Sequence, residues 1–351
     1  MAFAHVPPQE PRGKAEIVFV GEAPSDEEVS QGRPLVGPAG RIFNAMLRTA
    51  GLDRAEFGVT NVFDEQLPGN SIKPWTMPMA EALAAGLTDL PPIEGGFLRP
   101  EHRGHLERLR KELERWQPTV IVPLGGTALW ALTGHSGITA MRGSASVATR
   151  LLPGVKIVPT FHPAAIMRQW KFFHVVVGDF IRAEEEAKLG PQLILPKREL
   201  LLEPTLEDLE QWRPELLASD LLSVDIETGW RQITCIGFAP SAERAICIPF
   251  FDLRVANRSY WPTPDAEVEA WAFVRAILGS ATPKLGQNFA QYDAYWLLRG
   301  KQCPVRNLLH DTRLIHHALY PELPKGLEFM GNSYARQGVW KSWGRGEKND
   351  D

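Results

Sequence analysis

The sequence predicts an α/β protein of two domains. Three observations carry that reading. Short apolar runs alternate with amphipathic stretches through the first half, as in a largely parallel sheet between helices. A proline-bounded stretch at 190–198 breaks the pattern and reads as a linker. Beyond it, closely spaced apolar runs suggest an antiparallel meander. The length, 351 residues, suits two domains, placed at 14–189 and 199–351.

In the first domain, strands are expected at 17–20, 59–62, 119–124 and 156–160. Helices are expected at 41–50, 101–116, 127–132 and 171–189. The stretch 67–100 is long and rich in proline, and a loop of that length is functional or disordered. In the second domain, a strand at 199–202 and a helix at 206–217 precede the apolar run 221–226. Strands at 233–238 and 244–249 continue it, and helices begin near Asn288–Asp293 and at His310-Asp311-Thr312.

Composition bounds the function loosely. The formal charge of −4 neither favours nor excludes nucleic acid, since local patches outweigh the sum. No run is long enough to span a bilayer and no signal-peptide pattern is present, so a cytoplasmic location and no membrane partner are expected. Cys235, Cys247 and Cys303 are too widely spaced for a disulfide framework or a zinc site.

Two stretches carry chemistry. The apolar strand 17–20 ends in Gly21-Glu22-Ala23-Pro24, delivering a loop to the sheet edge where ligands sit in α/β folds. That loop holds Glu22, Asp26, Glu27 and Glu28, then Gly32, Pro34, Gly37 and Gly40. Read alone, it suits either a ligand cradle or a tight connection with solvated acids. In the second stretch, Asp225 and Glu227 lie two apart on an apolar strand, so both carboxylates face one way. A hard cation such as Mg²⁺ or Mn²⁺ would relieve their repulsion.

The run GEAPSDEEVSQGRPLVGPAGRIFNAML resembles the first signature of family 4 uracil-DNA glycosylases. Thr60-Asn61-Val62 and HPAAIMR (162–168) resemble the second and third signatures, in order. The resemblance implies a three-layer α/β domain with a mainly parallel sheet. It implies that Asn61 reads uracil, that His162 donates to the base oxygen, and that Glu22 or Glu28 orients water. Gly21 and Leu35 would line the base, and Arg168 would meet phosphate. Three departures stand out: Leu35 replaces a stacking phenylalanine, Ser25 a glycine, and Val29 an aspartate. The family's iron–sulfur cluster is not expected here, because NVFDEQLPGN puts Glu65 at a cysteine position and the domain has no thiol.

In the second domain, DIE (225–227), NFAQYD (288–293) and PELPKGLEF (321–329) resemble the 3′–5′ exonucleases found beside family A DNA polymerases, including phage enzymes. That implies a ribonuclease H-like mixed sheet and Mg²⁺ or Mn²⁺, weakly held, on Asp225, Glu227 and Asp293. The family's third motif is missing: Tyr334 is followed four residues later by Gly338, and Asp350 and Asp351 lie in a charged tail. The expected function is recognition, with excision, of uracil in DNA, coupled to 3′-end handling. The alternatives are an inactive DNA-binding accessory module and the front of a phage DNA polymerase. The expected partners are DNA, single-stranded or with a flipped base, and replication proteins.

Overall fold

A computed structural model describes residues 5–335 of the chain. It divides into two compact units, one running to Leu195 and resuming at Glu328, the other Pro196–Leu327. The second domain expected at 199–351 is therefore shorter, because its C-terminal helix packs in the first unit.

The first unit is built on a five-stranded sheet in the order Gly58–Asn61, Ile17–Gly21, Val120–Pro123, Lys156–Ile157, Ser146–Val147. Every pairing is parallel except that of the last strand. Strand Ile17–Gly21 is buried along its whole length because it serves two cores. Val18 and Val20 face the helices Gly104–Trp116 and Gly126–Thr133. Ile17 and Phe19 face Pro38–Thr49 and Phe173–Lys188. Phe19 meets Phe43, Phe57 and Phe180 edge-on, with ring centroids 5.0, 5.4 and 5.0 Å away. The result is a three-layer α/β/α unit.

The expected strand 156–160 shortens to Lys156–Ile157, but an isolated bridge pairs Leu124 with Thr160 beyond it. The long stretch 67–100 is ordered by its own small parts. A ribbon pairs Thr76–Met77 with Phe97–Leu98, and a helix spans Met79–Ala84.

The second unit carries a six-stranded sheet ordered Leu308–Asp311, Lys284–Gly286, Leu222–Gly229, Gln232–Ala239, Arg244–Pro249, Glu199–Leu201. The three central strands form an antiparallel meander, and Lys284–Gly286 and Leu308–Asp311 add in parallel. A meander extended in parallel from its first strand is the ribonuclease H-like order. Leu222, Val224 and Ile226 point into the core while Asp225 and Glu227 alternate outward, as period-2 geometry requires. Helix Pro264–Leu278 lends Trp271, Phe273, Val274 and Ile277 to that core. Among the described residues no helix is long and apolar enough to cross a membrane.

Candidate functional site

The carboxyl ends of the first unit's strands open on a cavity of about 530 Å³, within the range of small-ligand sites. Glu22, Glu28, Leu35, His162 and Arg168 all line it, joined by Asn70. The loop after strand Ile17–Gly21 and the loop after strand Lys156–Ile157 thus converge, as the parallel topology dictates.

His162 is the N-cap of the helix Pro163–Arg168. Its Nδ1 accepts the Ala164 N–H at 3.2 Å. A nitrogen that accepts carries no proton, so Nε2 holds the hydrogen and the ring is neutral. Burial, and then the charge of Arg168, push its pKa down to about 4. The imidazole is therefore a neutral donor at physiological pH.

Glu22 follows Gly21 at the strand tip, where burial raises its pKa against a downward pull from Thr127. Glu28 sits differently. Its Oε2 accepts from the Ser25 N–H and hydroxyl, each at 2.7 Å, and its Oε1 accepts from the Leu35 N–H. With both oxygens committed, Glu28 holds the loop, while Glu22 lines the cavity with Thr127 as its hydrogen-bond partner.

Leu35 carries the strain of this loop. Its φ of 50° lies in the left-handed region, which costs a non-glycine residue about 1–2 kcal/mol. Three contacts hold it there: the N–H on Glu28, the carbonyl on Arg54 at 2.6 Å, and close packing on Gly40. A Cβ at Gly40 would come 2.0 Å from the Leu35 oxygen. The buried leucine lines the cavity with an aliphatic face.

Asn61 ends the strand Gly58–Asn61, opposite Gly21 in register. Its backbone carbonyl accepts from Arg108 Nη2 at 2.6 Å. The side-chain oxygen crosses the Gly21 backbone, where a Cβ would lie 2.2 Å from it, so only glycine leaves room. Among the described residues the Asn61 amide has no side-chain hydrogen bond. It is buried and does not line the cavity that His162 lines. Three strand spacings, about 14 Å, separate the two strand ends. The expected reading pair thus shares an edge, with Asn61 one step behind the wall.

The donor chemistry does not fit an iron–sulfur cluster, because the chain's three cysteines, Cys235, Cys247 and Cys303, all lie in the second unit. The segment around Glu65 is held by rings and charges instead. Trp75 stacks on His102 with centroids 4.1 Å apart and on His105 at 5.2 Å, and Phe63 meets it edge-on. Asp64 bridges His105 Nδ1 at 2.6 Å and His5 Nδ1 at 2.7 Å, and Glu65 lies 3.3 Å from His5 Nε2.

In the second unit, Asp225 and Glu227 are exposed on one sheet face while Asp293 is buried at the start of the helix Asp293–Lys301. Asp293 Oδ1 accepts the Ile226 N–H at 3.0 Å. Burial, with Asp225 and Asp311 nearby, lifts its pKa to about 6 despite that bond. Asp311 caps the helix Thr312–Leu319 through the N–H groups of Arg313 and Leu314. Among the described residues no three acidic, histidine or cysteine side chains gather closely enough to hold a metal ion. Of the expected trio Asp225, Glu227 and Asp293, the last lies near enough to Asp225 to feel its charge and holds the Ile226 N–H through Oδ1. The third-motif positions, Gly338 and the tail with Asp350 and Asp351, lie outside the described residues.

A three-layer sheet with a neutral histidine, a buried carboxylate and a helix N-terminus around one cavity defines a small-ligand pocket of the α/β class. The chain belongs to the uracil DNA glycosylase superfamily, whose pattern matches residues 7–181. It is 36% identical over 154 residues to the type-4 uracil-DNA glycosylase of Thermotoga maritima, covering 43% of this chain and 66% of that protein. It is 31% identical over 177 residues to the type-4 enzyme of Archaeoglobus fulgidus, covering 49% of this chain and 77% of that one. A DNA polymerase of Bacillus phage SP01 is 24% identical over 222 residues, covering 61% of this chain and 21% of the polymerase.

Proposed function

We propose that the first unit recognises uracil flipped out of DNA and cleaves its glycosidic bond. The observation that carries this is the tautomer of His162: a neutral ring with Nε2–H as donor, on a cavity also lined by Glu22. Bond cleavage leaves negative charge on the departing base, and a preorganised donor stabilises it without a proton transfer. Glu22 would orient the water that attacks the sugar, and Arg168, exposed at the rim, would neutralise a neighbouring phosphate. Asn61 would pair donor and acceptor with the base edge once the base fills the space in front of Gly21. Leu35 would cover the base face.

An affinity comparison tests recognition separately from turnover. A single-stranded oligonucleotide carrying an uncleavable 2′-fluoro-deoxyuridine is expected to bind at least tenfold tighter than one carrying thymidine. His162→Ala should erase that difference. Equal affinity for the two strands in the unaltered protein would refute uracil recognition.

A second reading is favoured by Leu35. Aromatic stacking on a base is worth about 1–3 kcal/mol and leucine offers none of it, which suits a module that binds DNA and turns over slowly. For the second unit we propose 3′-end binding of single-stranded DNA, with weak Mg²⁺ or Mn²⁺ binding by Asp225, Glu227 and Asp293. When bound, such ions activate water for phosphodiester hydrolysis.

A further inference from the structure

The first unit is completed by residues far along the chain. The chain leaves it at Leu195 and rejoins it from Glu328, and the rejoining segment covers a buried ion pair. Arg142 and Asp179 are 1% and 2% exposed. Arg142 Nε and Nη2 both donate to the Asp179 carboxylate, the former at 3.0 Å. The remaining guanidinium nitrogen, Nη1, donates to the Ser333 hydroxyl at 2.9 Å. Phe329 lies under the same guanidinium, its centroid 5.2 Å from the central carbon. Asn332 adds two bonds, accepting from the Ser144 hydroxyl at 2.7 Å and donating to the Ala140 carbonyl at 2.8 Å. Gly143 lets the segment approach, since a Cβ there would lie 2.7 Å from both the Asn332 carbonyl oxygen and Asp179 Oδ1.

Asp179 also holds the segment that leads to His162. Its Oδ2 accepts the Thr160 hydroxyl at 2.5 Å. Thr160 is tied in three directions, its N–H on the Pro123 carbonyl at 3.0 Å and its own carbonyl accepting from Gly125 N–H at 2.8 Å. Two residues later comes His162, whose Cβ lies against Gly125. A buried charge that loses part of its shell is costly and moves to recover it, so the cover over Arg142 bears on the strand end that aims the histidine.

We infer that residues 328–335 act as a positioning element of the His162 site, transmitting through Arg142, Asp179 and Thr160. The inference rests on the uracil reading for its kinetic consequence only. Asn332, Ser333 and Asp179 are positioning residues and touch no substrate.

The test uses the full chain with Asn332→Ala and Ser333→Ala together, which removes four hydrogen bonds, three of them from this segment to Arg142, Ser144 and Ala140, and leaves the ion pair. Amide hydrogen exchange across residues 158–166 is expected to rise at least fivefold, while exchange across Leu222–Gly229 stays fixed. On a single-stranded uracil oligonucleotide, kcat should fall about tenfold with KM within twofold. Ser333→Thr, which keeps the hydroxyl, should leave exchange at the unaltered rate. Should the double variant fail to fold, Thr160→Val breaks the same path at its other end and should give the same local rise. Unchanged exchange at 158–166 in a folded variant overturns the inference. If the unaltered protein releases no uracil, the glycosylase reading fails while the exchange result still decides this one.

Discussion

Arg54 donates to the carbonyl oxygen of Leu35 at 2.6 Å, and the same guanidinium donates to that of Pro34 at 2.6 Å. Two further bonds, to Asn44 Oδ1 and from Nε to Gln9 Oε1, both 2.9 Å, fix its plane. Arg54 thus clamps the strained residue that lines the cavity. Arg54→Ala is expected to destabilise the first unit by about 2–3 kcal/mol, the scale of charge-assisted bonds lost. It should also weaken binding of uracil DNA about tenfold. Arg54→Lys should recover less than half of either effect, because an ammonium cannot reproduce the planar fork. Urea melts and a binding titration measure both.

His162 predicts a signed pH dependence. Its folded pKa, about 4, lies below the ordinary 6.5 because of burial and Arg168. Between those values the unfolded chain binds the extra proton, so stability falls as pH drops from 6.5 toward 4 and is complete above 6.5. The difference is about 2 kcal/mol, allowing for the ring's partial water contact. Melts of the unaltered protein and His162→Ala at pH 4.5 and 7.5 should show the slope shrinking in the variant.

Asp293 runs the other way. Burial raises its carboxyl to about 6 from 3.8, so the folded state keeps a proton that the unfolded state has lost. Its contribution is present below pH 3.8 and lost as pH rises through 6. Asp293→Asn should therefore stabilise the metal-free second unit at pH 8 by about 1–3 kcal/mol and make little difference at pH 4. Millimolar Mn²⁺ should raise the melting temperature of the unaltered protein at pH 8, and Asp225→Ala should abolish that rise.

Trp75 is buried between Phe63 and the stacked rings of His102 and His105. Trp75→Ala should cost about 3–5 kcal/mol, as large-to-small core changes do, and open residues 67–100 to proteolysis. Iron chelators should leave uracil release by the unaltered protein untouched.

Much of this was legible in the residues and some was not. Ile17–Gly21 announces itself because a strand between two cores is apolar on both faces, and Leu222–Gly229 because one face is wet. Glu22, Leu35, His162 and Arg168 meet because strand ends of a parallel sheet share an edge. Arg54 gave no signal, since a clamp on backbone carbonyls depends on a loop's path and no spacing encodes it. The separate tasks of Glu22 and Glu28 were hidden for the same reason: hydrogen bonds, not composition, decide which carboxylate holds the loop. The return of residues 328–335 to the first unit was equally silent, because its polar contacts with Arg142 and Ser144 reach across nearly two hundred positions.

Uracil release is the most direct measurement of the central claim. The full chain, in excess over a single-stranded oligonucleotide bearing one deoxyuridine, is expected to liberate free uracil and leave an alkali-labile abasic site. His162→Ala should slow that step at least a hundredfold, the cost of one lost donor to a developing anion. Release at the same rate by His162→Ala, or no release by the unaltered protein above the rate in buffer, would contradict it.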